Sequence, residues 1–528
     1  MLFTSYAFIG FLCAVFLLYY ILPKKCQWPL LLIASYAFYW IADWRYLFFI
    51  IVTTVSSYLI SLKTESINLT QKEYLKGEGK DLSKDEKKAY KDKMKAKKWA
   101  WLLVCLFFNI GILSVTKYTN FVINNINQFL SDTSRLQLVD MIIPMGISFY
   151  TFQSMSYVID VYRGKQAAEH NPFKLALFVS FFPQLVQGPI SRFGDLSKTL
   201  FSEHSFDGKT VSYGLMRILW GYFKKVVIAD RIITGVTTLI GTPEKYTGVY
   251  VFIAMIFYAF ELYCDFTGGI DITIGIAEVM GIRVAENFNL PYFSKNIKEY
   301  WNRWHITMGT WFTDYIFYPI SVCGPMLKLS KWSREHLGQG MGKRVTVYLS
   351  CFVVWFTTGL WHGAAWNFIV WGLMNFVVIM GSQELEPLYA KFHGRFNVRG
   401  KPLYEGFQIL RTFLLMSCIR MFDCYRDVPL TFKMVGTMFT RFNYSALTDG
   451  SMLEIGLSAA DYIVLLAGFF IVLGNSIWKA RVGSVRDVLY KKSYISFYGI
   501  MALLLIVILI FGAYGVGYDS SQFIYNQF

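Results

Sequence analysis

The chain has 528 residues, of which 55% are hydrophobic, 18% are aromatic and only 16% are charged. Soluble domains are about 25% charged and 45–50% apolar, so this composition excludes a typical soluble enzyme, a disordered chain and a disulfide scaffold. The net charge of +16 is typical of basic cytoplasmic loops and of contact with anionic membrane lipids. No zinc-finger spacing or aromatic-interleaved basic stripe indicates a nucleic-acid partner. We therefore predict an all-α polytopic membrane protein.

The first part of the chain, residues 1–62, is predicted to form N-terminal membrane helices. It contains apolar runs at residues 2–22, 28–40 and 46–62. The first basic residues, Lys24 and Lys25, follow the first run, which favours a retained membrane span with the N-terminus outside. Residues 63–98, with twelve lysines and seven acidic residues, are predicted to be a charged cytoplasmic loop. A docking site for a soluble partner is the alternative for that segment.

Apolar runs recur along the rest of the chain, and several are shorter than the about 20 residues that span a bilayer. They lie at residues 99–116, 141–157, 175–185, 213–228, 249–263, 345–361, 366–379, 407–421, 462–477 and 494–512. Short runs indicate re-entrant helices packed inside the protein, so we expect roughly 11–14 transmembrane and re-entrant helices. Residues 401–528 are predicted to be C-terminal membrane helices. Residues 478–492 are basic whereas 514–528 lack Lys and Arg, which favours an external C-terminus.

Carboxylates interrupt the apolar sequence after residue 260. Glu261 and Asp265 are four residues apart and share one face of a helix, and Asp271 follows. Each charged group at bilayer depth costs about 2.5–3.5 kcal/mol, so these residues need a wet cavity or fixed hydrogen-bond donors. They are either an internal network that orients helices or direct participants in catalysis.

Two of the six histidines, His305 and His362, adjoin membrane-depth sequence. The other four lie in polar stretches predicted to be loops: His170, His204, His336 and His393. His362 is flanked by Gly359 and Gly363, and glycines permit close backbone approach. A neutral imidazole suits a general base in a membrane. Two histidines without a nearby cysteine pair predict no metal site.

Other residues near these histidines could bind the substrates. Asn302 or His305 could position a donor or stabilise an oxyanion, and Arg303 with Lys298 would suit an anionic donor or act as interfacial residues. The eight scattered cysteines are predicted to be small buried hydrophobes. No nucleophile elbow, Walker motif or dinucleotide fingerprint is present, so no permanently bound cofactor is expected.

Several motifs in order resemble the membrane-bound O-acyltransferase family, in particular its bacterial alginate O-acetyltransferase-type branch. The resemblance runs from about Pro144 to Asn375. Its strings are PMGISFYTFQ at 144–153, FPQLVQGP at 182–189, GYFKKVVIAD at 221–230, ENFNLPY at 286–292, WNRWHI at 301–306 and WHG at 361–363. The chain departs from the family at Thr313, where an Arg is usual, at 319–322 and at Asn375, where a His is common.

The resemblance implies a ring of helices around a central tunnel, with residues 99–400 as the catalytic membrane core. It implies that His362 is the catalytic histidine and His305 its partner, and that an acyl thioester, acetyl-CoA or an acylated carrier, is the donor. Further candidate donor-binding or tunnel-lining residues are Asn302, Arg303, Trp304, Asp265, Asp271, Trp361 and Asn367. The implied enzyme lies in the cell membrane and acylates a surface polysaccharide, directly or through an extracellular or membrane-anchored partner.

Two alternatives stay open at this point. D-alanyl transfer to teichoic acid, fed by a cytoplasmic carrier, belongs to the same family. A lipid or polysaccharide-precursor transporter would use the intramembrane carboxylates and no bond chemistry, but it would be expected to show internal repeats, and none is evident in the sequence.

Overall fold

The computed structural model describes residues 3–514, and within that range every regular element is a helix. One isolated antiparallel bridge joins Phe288 and Trp304. The chain divides into two compact units: unit one comprises Met1–Ser212 and Ile276–Ala285, and unit two comprises Tyr213–Gly275 and Glu286–Phe528. The predicted external C-terminus falls on residues 515–528, outside the described residues.

Unit one contains the helices that precede residue 212. They are Tyr6–Ile21, Lys24–Cys26 (3₁₀), Gln27–Ala42, Tyr46–Lys76, Lys84–Asn127, Asp132–Ser134 (3₁₀), Ile147–Arg163, Pro172–Ser180, Phe182–Gln187 and Phe193–Leu200. Two further helices, Gly208–Tyr222 and Val249–Val279, contribute residues to both units.

Unit two contains the remaining helices. They are Phe223–Ala229 (π), Asp230–Gly241, Pro291–Phe293 (3₁₀), Ile297–Arg303, Ile306–Phe312, Thr313–Phe317 (π), Tyr318–Ser321, Gly324–His362, Trp366–Glu384, Glu386–Arg395, Pro402–Tyr425, Val428–Thr440, Tyr444–Leu447 (3₁₀), Ser451–Leu453 (3₁₀), Ala459–Arg481, Val485–Lys492 and Tyr494–Phe511. Helix Gly324–His362 is interrupted at Gly338, whose φ is +79°.

Six helices among the described residues are long and apolar enough to cross a membrane. They are Tyr46–Lys76, Lys84–Asn127, Val249–Val279, Gly324–His362, Ala459–Arg481 and Tyr494–Phe511. Helices Trp366–Glu384 and Glu386–Arg395 together meet the same test but are bent by 46°, as in a broken span or a re-entrant loop. The prediction of an all-α fold with several membrane-length helices is confirmed.

The helices extend beyond the apolar runs because their capping residues lie in the polar sequence that flanks each run. The run at 99–116 is the centre of Lys84–Asn127, which begins where Ser83 and Glu86 form a reciprocal capping box. The run at 175–185 is instead divided at Phe181 into two short helices, the second of which has Pro183 in its first turn.

Two expectations about individual residues were wrong. His336 and His393 lie on helices rather than in loops, because the polar sequence around them continues a helix instead of ending one. Only three of the eight cysteines are buried. Cys13 is exposed because the all-round apolar helix Tyr6–Ile21 also has an outward face, and Cys26 is exposed because it ends the short polar helix Lys24–Cys26.

Two aspartates of helix Val249–Val279 are held by the π-helical segment Phe223–Ala229. Lys225 Nζ lies 2.5 Å from Asp265 Oδ1 and 2.7 Å from Asp230 Oδ1, and all three side chains are at most 2% exposed. The neighbouring Lys224 Nζ donates to Asp271 Oδ2 at 2.6 Å. The adjacent lysines therefore bind different carboxylates, and charged donors meet the predicted need of Asp265 and Asp271. Glu261 Oε2, also buried, has no hydrogen-bond partner among the described residues.

Small residues bring helix Val249–Val279 close to helix Gly208–Tyr222. A Cβ atom on Gly268 would lie 2.9 Å from the carbonyl oxygen of Gly221, and one on Gly221 would lie 2.6 Å from the carbonyl oxygen of Gly268. Backbones at this distance exclude any side chain, as in small-residue helix pairs of membrane proteins. The glycines thus set the separation across which the two lysines reach their carboxylates.

We expect Gly268→Val to lower stability by about 1–3 kcal/mol, the typical effect of overpacking. Thermal unfolding of the purified protein in detergent measures the change. Gly474→Val is the matched control, because Gly474 lies within helix Ala459–Arg481 and a Cβ there meets nothing within 4 Å. Equal unfolding temperatures for the two variants would contradict the close helix contact.

Candidate functional site

His362 is the last residue of helix Gly324–His362, where it meets the start of helix Trp366–Glu384. A Cβ on Gly372 would lie 3.2 Å from Gly359 Cα, so the two helices touch through glycine. This contact brings the His362 ring to 4.6 Å from the Trp371 ring. The expectation of close backbone approach beside His362 is met, and the His362 side chain is buried.

His305 lies between helices Ile297–Arg303 and Ile306–Phe312. Its φ of +50° is in the left-handed region, unusual for a residue with a side chain. Backbone hydrogen bonds tie both sides of this residue to the neighbouring segment: the Ile306 N–H donates to the Asn287 carbonyl and the Asn289 N–H donates to the Arg303 carbonyl, both at 2.9 Å. The loop therefore holds His305 in a fixed, strained position with only 1% of its surface exposed.

Asn287 also determines which nitrogen of the His305 ring carries the hydrogen. Asn287 Oδ1 accepts hydrogen bonds from the Thr307 backbone N–H at 3.1 Å and from the Thr307 hydroxyl at 3.0 Å. His305 Nδ1 lies 3.3 Å from the same oxygen. An amide oxygen only accepts hydrogen bonds, so Nδ1 carries the ring hydrogen and Nε2 is the accepting nitrogen.

His305 is electrically neutral. It lies outside the six membrane-length helices, and burial, together with the positive charge of Arg420, lowers its pKa to about 3. The neutral form of the ring is therefore favoured at physiological pH.

The indole of Trp361 joins the two histidines. Its ring centroid lies 5.9 Å from that of His305 and 5.0 Å from that of His362. Phe266, on helix Val249–Val279, contacts the other side of His305 at 4.9 Å. The predicted pair thus belongs to one buried aromatic cluster.

Arg420 is a part of this cluster that sequence reasoning missed. Its guanidinium carbon lies 5.6 Å, 5.2 Å and 4.8 Å from the ring centres of Trp301, Trp304 and Trp371. Its counter-ion is Asp423, at 3.0 Å on the same helix turn. Since Trp304 precedes His305 and Trp371 contacts His362, one cation is in contact with the supports of both histidines.

The other predicted site residues are divided between the cluster and its surroundings. Trp304 and Trp361 are buried within it, and Asn367 is buried with its Nδ2 donating to the Phe422 carbonyl at 3.2 Å. Asn302 is exposed, and Arg303 forms a 2.6 Å ion pair with Glu299. Asp265 and Asp271 form the ion pairs with Lys225 and Lys224 described above.

Sequence reasoning missed several charged residues that form buried ion pairs within apolar runs. Lys224, Lys225 and Asp230 all lie within the GYFKKVVIAD string, and two adjacent lysines in an apolar run were a usable signal for buried ion pairs. Arg420 and Asp423, three residues apart in another apolar run, were a similar signal. Among the described residues, no group of three or more His, Cys, Asp or Glu side chains could hold a metal ion.

Comparison with known proteins identifies the family. The family model for MBOAT, the membrane-bound O-acyltransferase family, matches residues 99–424. A probable alginate O-acetylase of Pseudomonas syringae pv. tomato is 31% identical over 477 residues, 88% of this chain and 80% of the relative. A peptidoglycan O-acetyltransferase of Helicobacter pylori is 30% identical over 425 residues, 74% of this chain and 72% of the relative.

A more distant match is a teichoic acid D-alanyltransferase of Bacillus subtilis, 30% identical over 241 residues, which cover 44% of this chain and 58% of the relative. The matched region of the family contains both histidines of the aromatic cluster. The resemblance inferred from the motifs is confirmed: the chain belongs to the membrane-bound O-acyltransferase family and is a multi-pass membrane O-acyltransferase.

Proposed function

We propose that this enzyme moves an acetyl group from a cytoplasmic thioester donor to hydroxyls of a cell-surface polysaccharide, with His362 as the general base. The observation that carries the proposal is the burial of His305 and His362 on one aromatic cluster. The acetyl group would reach the polymer directly or through an extracellular or membrane-anchored acyltransferase partner.

The acceptor class follows from two of the relatives. Their names specify alginate and peptidoglycan, which are both carbohydrate polymers of the cell envelope with hydroxyl groups to esterify. An enzyme that acts outside the membrane on a donor made inside the cell must bridge the two aqueous sides. Helices that pack around polar residues at membrane depth suit such a path.

The chemical step needs one proton acceptor and one oriented hydroxyl. His362 takes the proton of the acceptor hydroxyl as its oxygen attacks the thioester carbonyl carbon. The tetrahedral intermediate collapses, the carbon–sulfur bond breaks, and the leaving thiolate receives the proton from the imidazolium of His362. An ester and a free thiol result, with no other reactant.

His305 suits a role in orientation rather than in proton transfer. With Nδ1–H directed to Asn287, its Nε2 can accept a hydrogen bond from a second hydroxyl of the acceptor sugar, because the hydrogen of the attacking hydroxyl goes to His362. It has no hydrogen to give to an oxyanion. Asn302 is exposed, so the proposal assigns it no part in the step.

We expect His362→Ala to reduce surface-polymer acetylation at least 100-fold, since general acid–base catalysis contributes typically 10²–10⁴-fold. His305→Ala should also reduce it strongly. Mass spectrometry of envelope glycans from cells that carry each variant measures ester content. His336→Ala is the matched control, because His336 is an exposed histidine on the same helix as His362.

Other outcomes of this experiment identify the alternatives. Full acetylation by a well-expressed His362→Ala variant would contradict the proposed base. Alanine esters on teichoic acid, in place of acetyl esters, would indicate the D-alanyl transfer of the Bacillus relative. A transporter without bond chemistry would tolerate His362→Ala but lose function when Asp265 or Asp271 is replaced.

Arg420 is proposed to position both histidines through the indoles that surround it. Arg420→Met should lower stability by about 3–5 kcal/mol, because it leaves Asp423 as an uncompensated buried charge. The double variant Arg420→Met/Asp423→Leu should recover most of that loss, which thermal unfolding in detergent measures.

Acetylation separates the positioning role of Arg420 from its effect on stability. The double variant should fold yet have lower acetylation than the wild type, because the cation that touches Trp304 and Trp371 is gone. A double variant with full acetylation would restrict Arg420 to a structural role, and a single variant as stable as the wild type would contradict the buried ion pair.

A further inference from the structure

A cleft with a cavity volume of about 70 Å³, room for a group the size of a phosphate, lies in unit two beside the ion pairs of Lys224 and Lys225. Its lining combines cations with aromatic and small polar side chains. The cations are Arg217, Lys224 and Lys479, and the acidic residues are Asp271 and Glu286. The rings of Trp220, Tyr263 and Phe288 form apolar parts of the wall. With three cations and two anions, the lining carries one excess positive charge.

The buried end of the cleft has a fixed charge arrangement. Lys224 Nζ donates to Thr267 Oγ1 at 2.7 Å and to Asp271 Oδ2 at 2.6 Å, and Arg217 Nε donates to Asp271 Oδ1 at 2.9 Å. Asp271 therefore lies between the two cations and orients both. The other two guanidinium nitrogens of Arg217, Nη1 and Nη2, bond a different carboxylate.

Glu286 occupies those nitrogens in a way that an incoming anion could reproduce. Arg217 Nη1 and Nη2 donate to the two carboxylate oxygens of Glu286, both at 2.6 Å. Two parallel bonds of this kind are the geometry in which arginine binds phosphate. The Glu286 side chain is 58% exposed whereas that of Arg217 is 15% exposed, so the carboxylate can turn to solvent while the guanidinium stays in place.

The segment that carries Glu286 connects the cleft to the candidate site. Glu286, Phe288 and Leu290 line the cleft, while Asn287, between the first two, bonds the His305 ring. Alternate residues of an extended segment point to opposite sides. A ligand in the cleft would thus lie across one chain segment from His305.

The basic residues at the cleft also indicate which side of the membrane it serves. Lys479 lies in the last turn of helix Ala459–Arg481, and helix Val485–Lys492 follows with further basic residues. Under the positive-inside rule this end of the helix faces the cytoplasm, the side from which the proposed donor would arrive.

We propose that this cleft binds the phosphate group of a phosphorylated ligand with an apolar portion, and that Glu286 leaves Arg217 when the ligand enters. The ligand is either the phosphorylated carrier portion of the thioester donor or an anionic lipid headgroup, which share this chemistry. The assignment of the thioester donor as ligand rests on the proposed function, whereas binding of a phosphate group in the cleft does not.

The test measures ligand binding to the full-length protein in phosphatidylcholine nanodiscs. Coenzyme A is the soluble probe, and nanodiscs that contain phosphatidylglycerol supply the lipid probe. Glu286→Gln removes the competing charge but keeps the ion pair of Arg217 with Asp271. It should strengthen binding about threefold or more, and Lys479→Gln should weaken it by a similar factor, as for partly exposed charge pairs. Glu244→Gln, an exposed glutamate in the same unit, is the control and should change nothing.

Each result decides the proposal. Coenzyme A binding that depends on Glu286 and Lys479 supports the cleft with the donor as ligand. Thermal stabilisation by phosphatidylglycerol with the same dependence, and no effect of coenzyme A, supports the cleft with lipid as ligand. Binding of neither probe, or binding unaffected by both variants, overturns it. Because the probes undergo no reaction, this result is independent of whether His362→Ala abolishes acetylation.

Discussion

The pairing of buried carboxylates with the adjacent lysines of Phe223–Ala229 is the constraint on which unit two depends. An ionised group removed from water costs several kcal/mol unless its partner stays in contact. Helix Val249–Val279 therefore cannot slide or rotate against the π-helical segment without separating Asp265 from Lys225 and Asp271 from Lys224 at once. A fixed helix in turn holds Phe266 against the His305 ring.

The candidate site differs from these ion pairs in how it buries a polar side chain. A neutral imidazole needs no counter-ion, so His305 can lie among aromatic rings that would not support a charged residue. The cation beside it, Arg420, keeps its charge, and it requires both Asp423 and the faces of three indoles. Permanent charge thus lies on the residues that surround the candidate site, whereas His305 within it is neutral.

The sequence was sufficient to predict the all-α fold, and it drew attention to His305, His362 and the buried carboxylates, because apolar runs and polar residues within them are local signals. It did not predict which partners those carboxylates have, since Lys225 and Asp265 are brought together only by the packing of two helices. Nor did it predict the left-handed backbone at His305, which depends on Asn287, or the cation at Arg420, which lies more than a hundred residues after Trp304. Residue identity is local information, whereas charge compensation is a property of the folded chain.

Most of the lysine-rich segment 63–98 is helical. Helix Lys84–Asn127 has 44 residues, about 66 Å at 1.5 Å per residue, against a hydrocarbon thickness of about 30 Å. Its polar first third lies along helix Tyr46–Lys76, where the rings of Tyr74 and Tyr90 stack at 4.3 Å and Lys98 donates to Asn68 at 2.7 Å. A molecule that docks on this hairpin meets a preformed row of ammonium groups, so association there carries little of the entropy loss that ordering a flexible loop would require.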